Sequence, residues 1–148
     1  MAKKKNKSSQ NQKVPISFNV HSISLVKKEI NPPTEYVPVS SKRYSYSLKI
    51  DFKIFEESKD IRIVVMYSFK LDGQTILYIE VENDYRFLNL EEIIGNGNFK
   101  DQTFFDFLVD FSIDHARGIQ SIVIVDTTID KLYMPQINSV KASAATRH

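Results

Sequence analysis

The stretch RYSYSLKIDFKIFEESKDIRIVVMYSFKLDGQTILYIEV (residues 43–81) decides the fold. In its first third Tyr44, Tyr46, Leu48, Ile50, Phe52 and Ile54 alternate with Ser45, Ser47, Lys49, Asp51 and Lys53. Successive side chains of a strand point to opposite faces, so this spacing predicts a strand with one buried and one wet face. EESKD reads as a turn. Ile61, Ile63, Val65, Tyr67, Phe69 and Leu71 then repeat the alternation. Asp72-Gly73 marks a tight hairpin, because two-residue hairpin loops need positive φ angles that Asp and Gly tolerate. Beyond it Leu77, Ile79, Val81, Tyr85 and Phe87 form the apolar side of another strand, against Tyr78, Glu80, Glu82 and Asp84.

Upstream, VPISFNVHSISLVKKEI (residues 14–30) reads as a further strand with a fault. Ile16, Phe18 and Val20 alternate, then the phase slips to Ile23 and Leu25. A one-residue slip moves side chains to the other face, so a bulge or bend is expected near His21–Ser22. NPPTEYVPVSS (residues 31–41) holds three prolines and reads as an extended connection. Strands joined in this way make an antiparallel meander, and its apolar face needs a cover.

The C-terminal third supplies it. EEIIGNGN (residues 91–98) is a loop or short turn around Gly95 and Gly97, and Asp101 or Thr103 can cap a helix. Phe105, Leu108, Val109, Ser112, Ala116, Ile119 and Val123 recur at helical spacing, with Phe104, Phe107 and Phe111 as a neighbouring row. Such a helix is apolar over more than half its girth. A sheet alone needs a narrower stripe, so the second row suggests another partner, such as another subunit. Gly118 suggests a kink or an early end. IVIV (residues 122–125) is open between helix and strand, and the chain after Asp126 reads as an extended loop that Pro135 keeps out of a helix. The expected fold is α+β: a four-stranded antiparallel sheet covered on one face by a long C-terminal helix.

With 148 residues the chain suits one domain. Its formal net charge of +2 argues against nucleic-acid binding, which needs a strong basic patch. Lys3, Lys4, Lys5, Lys7 and Lys13 carry much of the positive charge, so residues 1–13 read as a disordered basic leader, a solubilising tail or a weak contact for an acidic partner. Without Cys, disulfides and thiolate metal sites are excluded. No apolar run follows the lysines as a secretory signal requires, and none approaches the roughly 20 residues of a membrane span, so a cytoplasmic protein without membrane insertion is expected.

Catalytic motifs are sparse. His21, His115 and His148 are not coupled by spacing to a nucleophilic Ser or a carboxylate pair, and HxxxH and HExxH are absent. His115 beside Asp114 reads as a polar surface pair. Arg117, on so apolar a helix, is expected to be a structural clamp held by a carboxylate or by loop carbonyls. Gly95-Asn96-Gly97 lacks the residues of a phosphate loop. Glu80, Glu82 and Asp84, with Glu91 and Glu92, make an acidic stripe, either a solvated face or a docking surface for a basic partner. Phe104, Phe107 and Phe111, with Leu132, Tyr133 and Met134, exceed what one small core hides, and exposed apolar patches mark interaction sites.

The order of elements resembles the SecB-type export chaperones: bent first strand, Pro-rich crossing, meander, glycine turn, long helix and a Pro-x-Ile-Asn arm. His115-Ala116-Arg117 is similar to that family's aromatic-Ala-Arg, Pro135-Gln136-Ile137-Asn138 to its Pro-x-Val-Asn, and YIEVENDYRFLN to its fourth strand. The similarity covers residues 14–138, leaving 139–148 as a short flexible tail. It implies a cofactor-free, non-enzymatic chaperone, a homotetramer built as a dimer of dimers. Subunits pair through edge strands and main helices, and unfolded clients bind in apolar grooves between sheet and arm. Phe104, Phe107, Phe111, Leu132, Tyr133 and Met134 are then groove or helix-interface residues. Tyr78, Glu80 and Glu82 are docking residues, Glu80 standing where the family contacts a SecA-type motor. Arg117, Pro135 and Asn138 are structural. The chain departs from the family in ending on SVKASAATRH, where a second helix and an acidic tail are usual; this bears on the motor contact more than on client binding. A dedicated client such as an antitoxin fits the same reading. The alternative is a β-rich assembly subunit with one fixed partner.

Overall fold

The computed structural model describes residues 16–132. Four long strands come first: β1 (Phe18–Ile30), β2 (Tyr44–Phe55), β3 (Asp60–Leu71) and β4 (Gln74–Phe87). A 3-10 turn (Leu90–Glu92) and a two-stranded hairpin, β5 (Ile94–Gly95) and β6 (Asn98–Phe99), lead into the helix α1 (Gln102–Val123). The architecture is α+β, as the alternation predicts. The sheet order is β1-β4-β3-β2, all antiparallel. Consecutive strands β2, β3 and β4 are neighbours, while the Pro-rich connection carries β1 across to the far side of β4. The four strands are therefore not the expected meander but a Greek key read from its C-terminal end, with only β2, β3 and β4 in meander order.

The alternating residues lie where their period places them. Ile61, Ile63, Val65, Tyr67, Leu77, Ile79, Val81 and Tyr85 are fully buried on one face of the central strands. The predicted hairpin turns at Asp72 (φ 52°) and Gly73 (φ 82°), both in the left-handed region that the tight turn requires. Asn96 (φ 55°) and Gly97 (φ 77°) repeat this geometry, so Gly95–Gly97 belongs to a second, miniature hairpin.

The slip in β1 is a β-bulge. Its register with β4 shifts between Val20 and Ser22, and again between Leu25 and Lys27. The bulges keep Phe18, Val20, Ile23 and Leu25 opposite Phe87, Tyr85, Asn83 and Val81, the helix-side residues of β4. Directly opposed residues share a face, so β1 presents its apolar side chains to the helix side despite the broken alternation.

Helix α1 begins with Asp101, whose side chain accepts from the Thr103 backbone N–H at 2.9 Å. Phe105, Leu108, Val109, Ser112, Ile113, Ala116 and Gln120 form its buried face. Each large apolar side chain among them stabilises the fold by about 1.5–3 kcal/mol on burial. Gly118 neither kinks nor ends the helix; it sits on the exposed face, and IVIV splits, its first two residues completing α1. The segment after Asp126 is not the expected extended loop. Its backbone closes on itself through Thr127 N–H to Ile124 O, Asp130 N–H to Thr127 O and Leu132 N–H to Ile129 O. Burial of Ile124, Ile129 and Leu132 drives this compaction, for they extend the core past the end of α1.

Candidate functional site

Three surfaces carry the residues singled out by the sequence, and each is built from a different part of the fold.

The first is the outer flank of α1. Phe104, Phe107 and Phe111 form a continuous aromatic row: ring centroids lie 6.2 Å apart for Phe104–Phe107 and 4.7 Å for Phe107–Phe111. Phe18 at the start of β1 joins it, 5.8 Å from Phe104 and 6.4 Å from Phe107. Phe104 is half-buried against Phe18 and Phe87. Phe107 and Phe111 remain 45% and 39% exposed, so the chain's own sheet does not consume the second helical row. Beside them Val20, Ile23 and Leu25 of β1 are also exposed. The sequence did not signal that β1, the edge strand, is open to solvent along almost its whole length.

His115 closes this row, its ring 6.1 Å from that of Phe111. It is not the surface pair with Asp114 that the sequence suggests. Its Nδ1 is 2.8 Å from the side-chain oxygen of Asn83, a fully buried residue of β4. Asn83 gives its amide protons to the carbonyls of Ile63 and Val81. Its oxygen therefore faces the imidazole as an acceptor, and His115 Nδ1 carries the proton. Burial lowers the imidazole pKa, with the Asp114 carboxylate pulling the other way. Arg117, expected to be held by a carboxylate or by loop carbonyls, forms an ion pair with the Asp114 carboxylate at 3.6 Å on the helix itself. Among the described residues, polar cross-links from the helix to the rest of the fold come from His115, from Ser112 and from Gln120, whose side chain donates to the Leu132 carbonyl at 3.2 Å.

The second surface is a groove of about 390 Å³ beside the open edge of β2. Val39 of the Pro-rich connection, Tyr44, Tyr46, Phe69 and Leu132 line it. Leu132 is 4% exposed, a core residue at the groove's floor rather than an arm side chain. Leu132 thus lines the groove beside β2, whereas Phe104, Phe107 and Phe111 form the outer row of α1. Tyr133, Met134, Pro135 and Asn138 lie outside the described residues, as do residues 1–13 and 139–148. Val39 and Tyr46 are exposed and give the groove an aromatic and an aliphatic wall. In the sequence both looked like ordinary strand or connection residues.

The third surface is the sheet face away from α1. Tyr78, Glu80 and Glu82 lie there side by side, and the Tyr78 hydroxyl donates to Glu80. Arg62 bonds Asp84 at 2.8 Å and reaches Glu82 at 3.4 Å, so two of the acids are neutralised within the sheet. Lys27 lies over the Tyr78 ring at 5.5 Å. Glu91 and Glu92 are carried off by the 3-10 turn and are not part of this face. Among the described residues no three His, Cys, Asp or Glu side chains gather as metal ligands, and no helix is long and apolar enough to cross a membrane.

No protein-family model matches the chain, and no curated protein matches it.

Proposed function

We propose that this protein is a SecB-like holdase that binds unfolded or partly folded polypeptides in apolar grooves without covalent chemistry, in the cytoplasm. The observation that carries this reading is the pairing of an open strand edge with an apolar trough. Among the described residues β2 has an unpaired edge, and Val39, Tyr46 and Leu132 line the cavity next to it. An extended client segment satisfies both: its backbone adds to the strand edge, and alternate side chains enter the trough. Apolar burial supplies about 25 cal/mol per Å², and ordering the client offsets much of it. Binding therefore calls for several such grooves, which association of copies provides. Edge-strand β1 and the Phe107–Phe111 row are the surfaces proposed for that association. Tyr78, Glu80 and Glu82 on the outer sheet face are the proposed docking residues for a basic partner, Glu82 being shared with Arg62 and Glu80 accepting from the Tyr78 hydroxyl.

Aggregation of a chemically unfolded substrate on dilution, followed by light scattering, tests the reading. A holdase suppresses scattering at near-stoichiometric ratios and does not bind the native substrate. Unaltered scattering, with tight capture of a single folded partner, favours the assembly-subunit alternative instead.

A further inference from the structure

The first described residues of the chain lie beside a cavity. The Leu88 N–H donates to the Ser17 carbonyl at 3.1 Å, and the Leu88 carbonyl accepts from Lys59 Nζ at 3.3 Å. Two residues further on, Leu90 lines a cavity of about 310 Å³, together with Glu56 and Lys59 of the β2–β3 turn, Glu91 and Ile94. Leu90 is buried and Ile94 half-buried, which gives the cavity an apolar floor, while Glu56 and Glu91 are exposed at its rim. Among the described residues no ion pair engages either carboxylate. Lys59 and Lys100, beside them, spend their ammonium groups on main-chain carbonyls instead, Lys59 on that of Leu88 and Lys100 on that of Glu91 at 3.1 Å. Glu57 and Glu92, next in sequence to the two rim acids, add charge of the same sign. A site of this kind takes a cation on an apolar stem, and a lysine side chain has that form.

We propose that this cavity is the docking site of the chain's own basic leader, with the ammonium of Lys13 between Glu56 and Glu91 and its methylene stem on Leu90 and Ile94. The tether is long enough. Lys13 stands four residues before Ser17, and four extended residues span about 14 Å. Leu90 is two residues, at most about 7 Å, from the Leu88 that holds Ser17. Lys3, Lys4, Lys5 and Lys7 lie on the same tether and supply cations for Glu57 and Glu92. A short tether holds its groups at an effective concentration of roughly millimolar order, so weak charge pairs suffice. A basic segment of another protein has the charge without the tether, which is why the occupant is the leader. Docked, the leader anchors the start of edge strand β1; released by salt, it leaves the cavity to other basic segments. The contact is independent of the holdase reading.

Two measurements on the full chain test it. Carbodiimide joins a lysine amine to a carboxylate only where the two touch, and an equal mixture of isotopically light and heavy chains tells coupling within a chain from coupling between chains. Lys13 is expected to couple to Glu56 or Glu91, within one chain, about fivefold more than to Glu29 at the far end of β1. That excess is expected to vanish in about 1 M salt, where the screening length falls to about 3 Å. In the second test a spin label is placed on Ser9→Cys, the sequence having no Cys of its own. It is expected to broaden the amide signals of Asn96 and Gly97 at the cavity. Glu56→Gln/Glu91→Gln is expected to remove the broadening and keep the fold, since both side chains are exposed. Even coupling of Lys13 to all acids, coupling indifferent to salt, coupling only between light and heavy chains, or broadening that survives the double variant overturns the docking and leaves the holdase reading standing.

Discussion

His115 and Asn83 are joined at 2.8 Å between an imidazole nitrogen and an amide oxygen, tying the helix to the fourth strand at the point where an otherwise apolar strand face turns polar. The amide's own donors are committed to two β-strand carbonyls, so the direction of the bond is fixed. His115→Ala leaves the Asn83 oxygen buried without its partner, and a loss of about 1–3 kcal/mol in unfolding free energy is expected from denaturant titration.

Burial of the same imidazole makes stability depend on pH. Burial holds the folded imidazole below its ordinary value of 6.5, so the unfolded chain takes up the proton first. Stability then rises with pH through this window, and is lost as pH falls below 6.5 through the folded value. Thermal midpoints measured at intervals between pH 7 and pH 5 should fall more steeply for the wild type than for His115→Ala. Parallel slopes would remove His115 as the origin of the effect.

Ser112 gives its single proton to the Leu108 carbonyl at 2.8 Å, so in its bond to Tyr85 the tyrosine is the donor. Burial pushes the Tyr85 hydroxyl up to about 12. Ser112→Ala strands that hydroxyl in the core, and a destabilisation of about 1–3 kcal/mol is expected. In the double variant Ser112→Ala/Tyr85→Phe both polar groups are gone, and much of the loss should be recovered.

The groove beside β2 separates binding from stability. Tyr46 is an exposed wall residue and Leu132 a buried floor residue. Tyr46→Glu should reduce capture of an unfolded substrate severalfold at a stability cost of about 0.5–1.5 kcal/mol, from its lost ring contacts with Tyr67 and Phe69. Leu132→Ala should cost about 2–5 kcal/mol, the usual penalty for a core cavity. Equal effects of the two on stability would contradict this division.

Period-two alternation made the sheet legible because β2, β3 and β4 each have one face against the core. The bulge near His21–Ser22 was legible for the same reason, as a break in that period. Strand order was not: nothing local to Phe18–Ile30 says that it crosses to β4 rather than pairing with β2, its neighbour in sequence. The outer row of α1 showed as a surplus of phenylalanine. Asn83 hid because it occupies an apolar phase of β4 and its partner lies 32 residues away. The turns after Asp126 were misread because their apolar residues have no regular period, although Ile129 and Leu132 are core. Arg117 was expected to be held by a carboxylate or by loop carbonyls, and a carboxylate, Asp114 one turn before it on the same helix, holds it.

Solution mass, measured by sedimentation across a concentration series, tests most directly whether the face left open by Phe107 and Phe111 exists to meet another chain. Discrete multiples of the 17.1 kDa protomer are predicted, with Phe111→Asp shifting the distribution towards smaller species while the fold persists. A 17.1 kDa particle at every concentration, unchanged in Phe111→Asp, would contradict it.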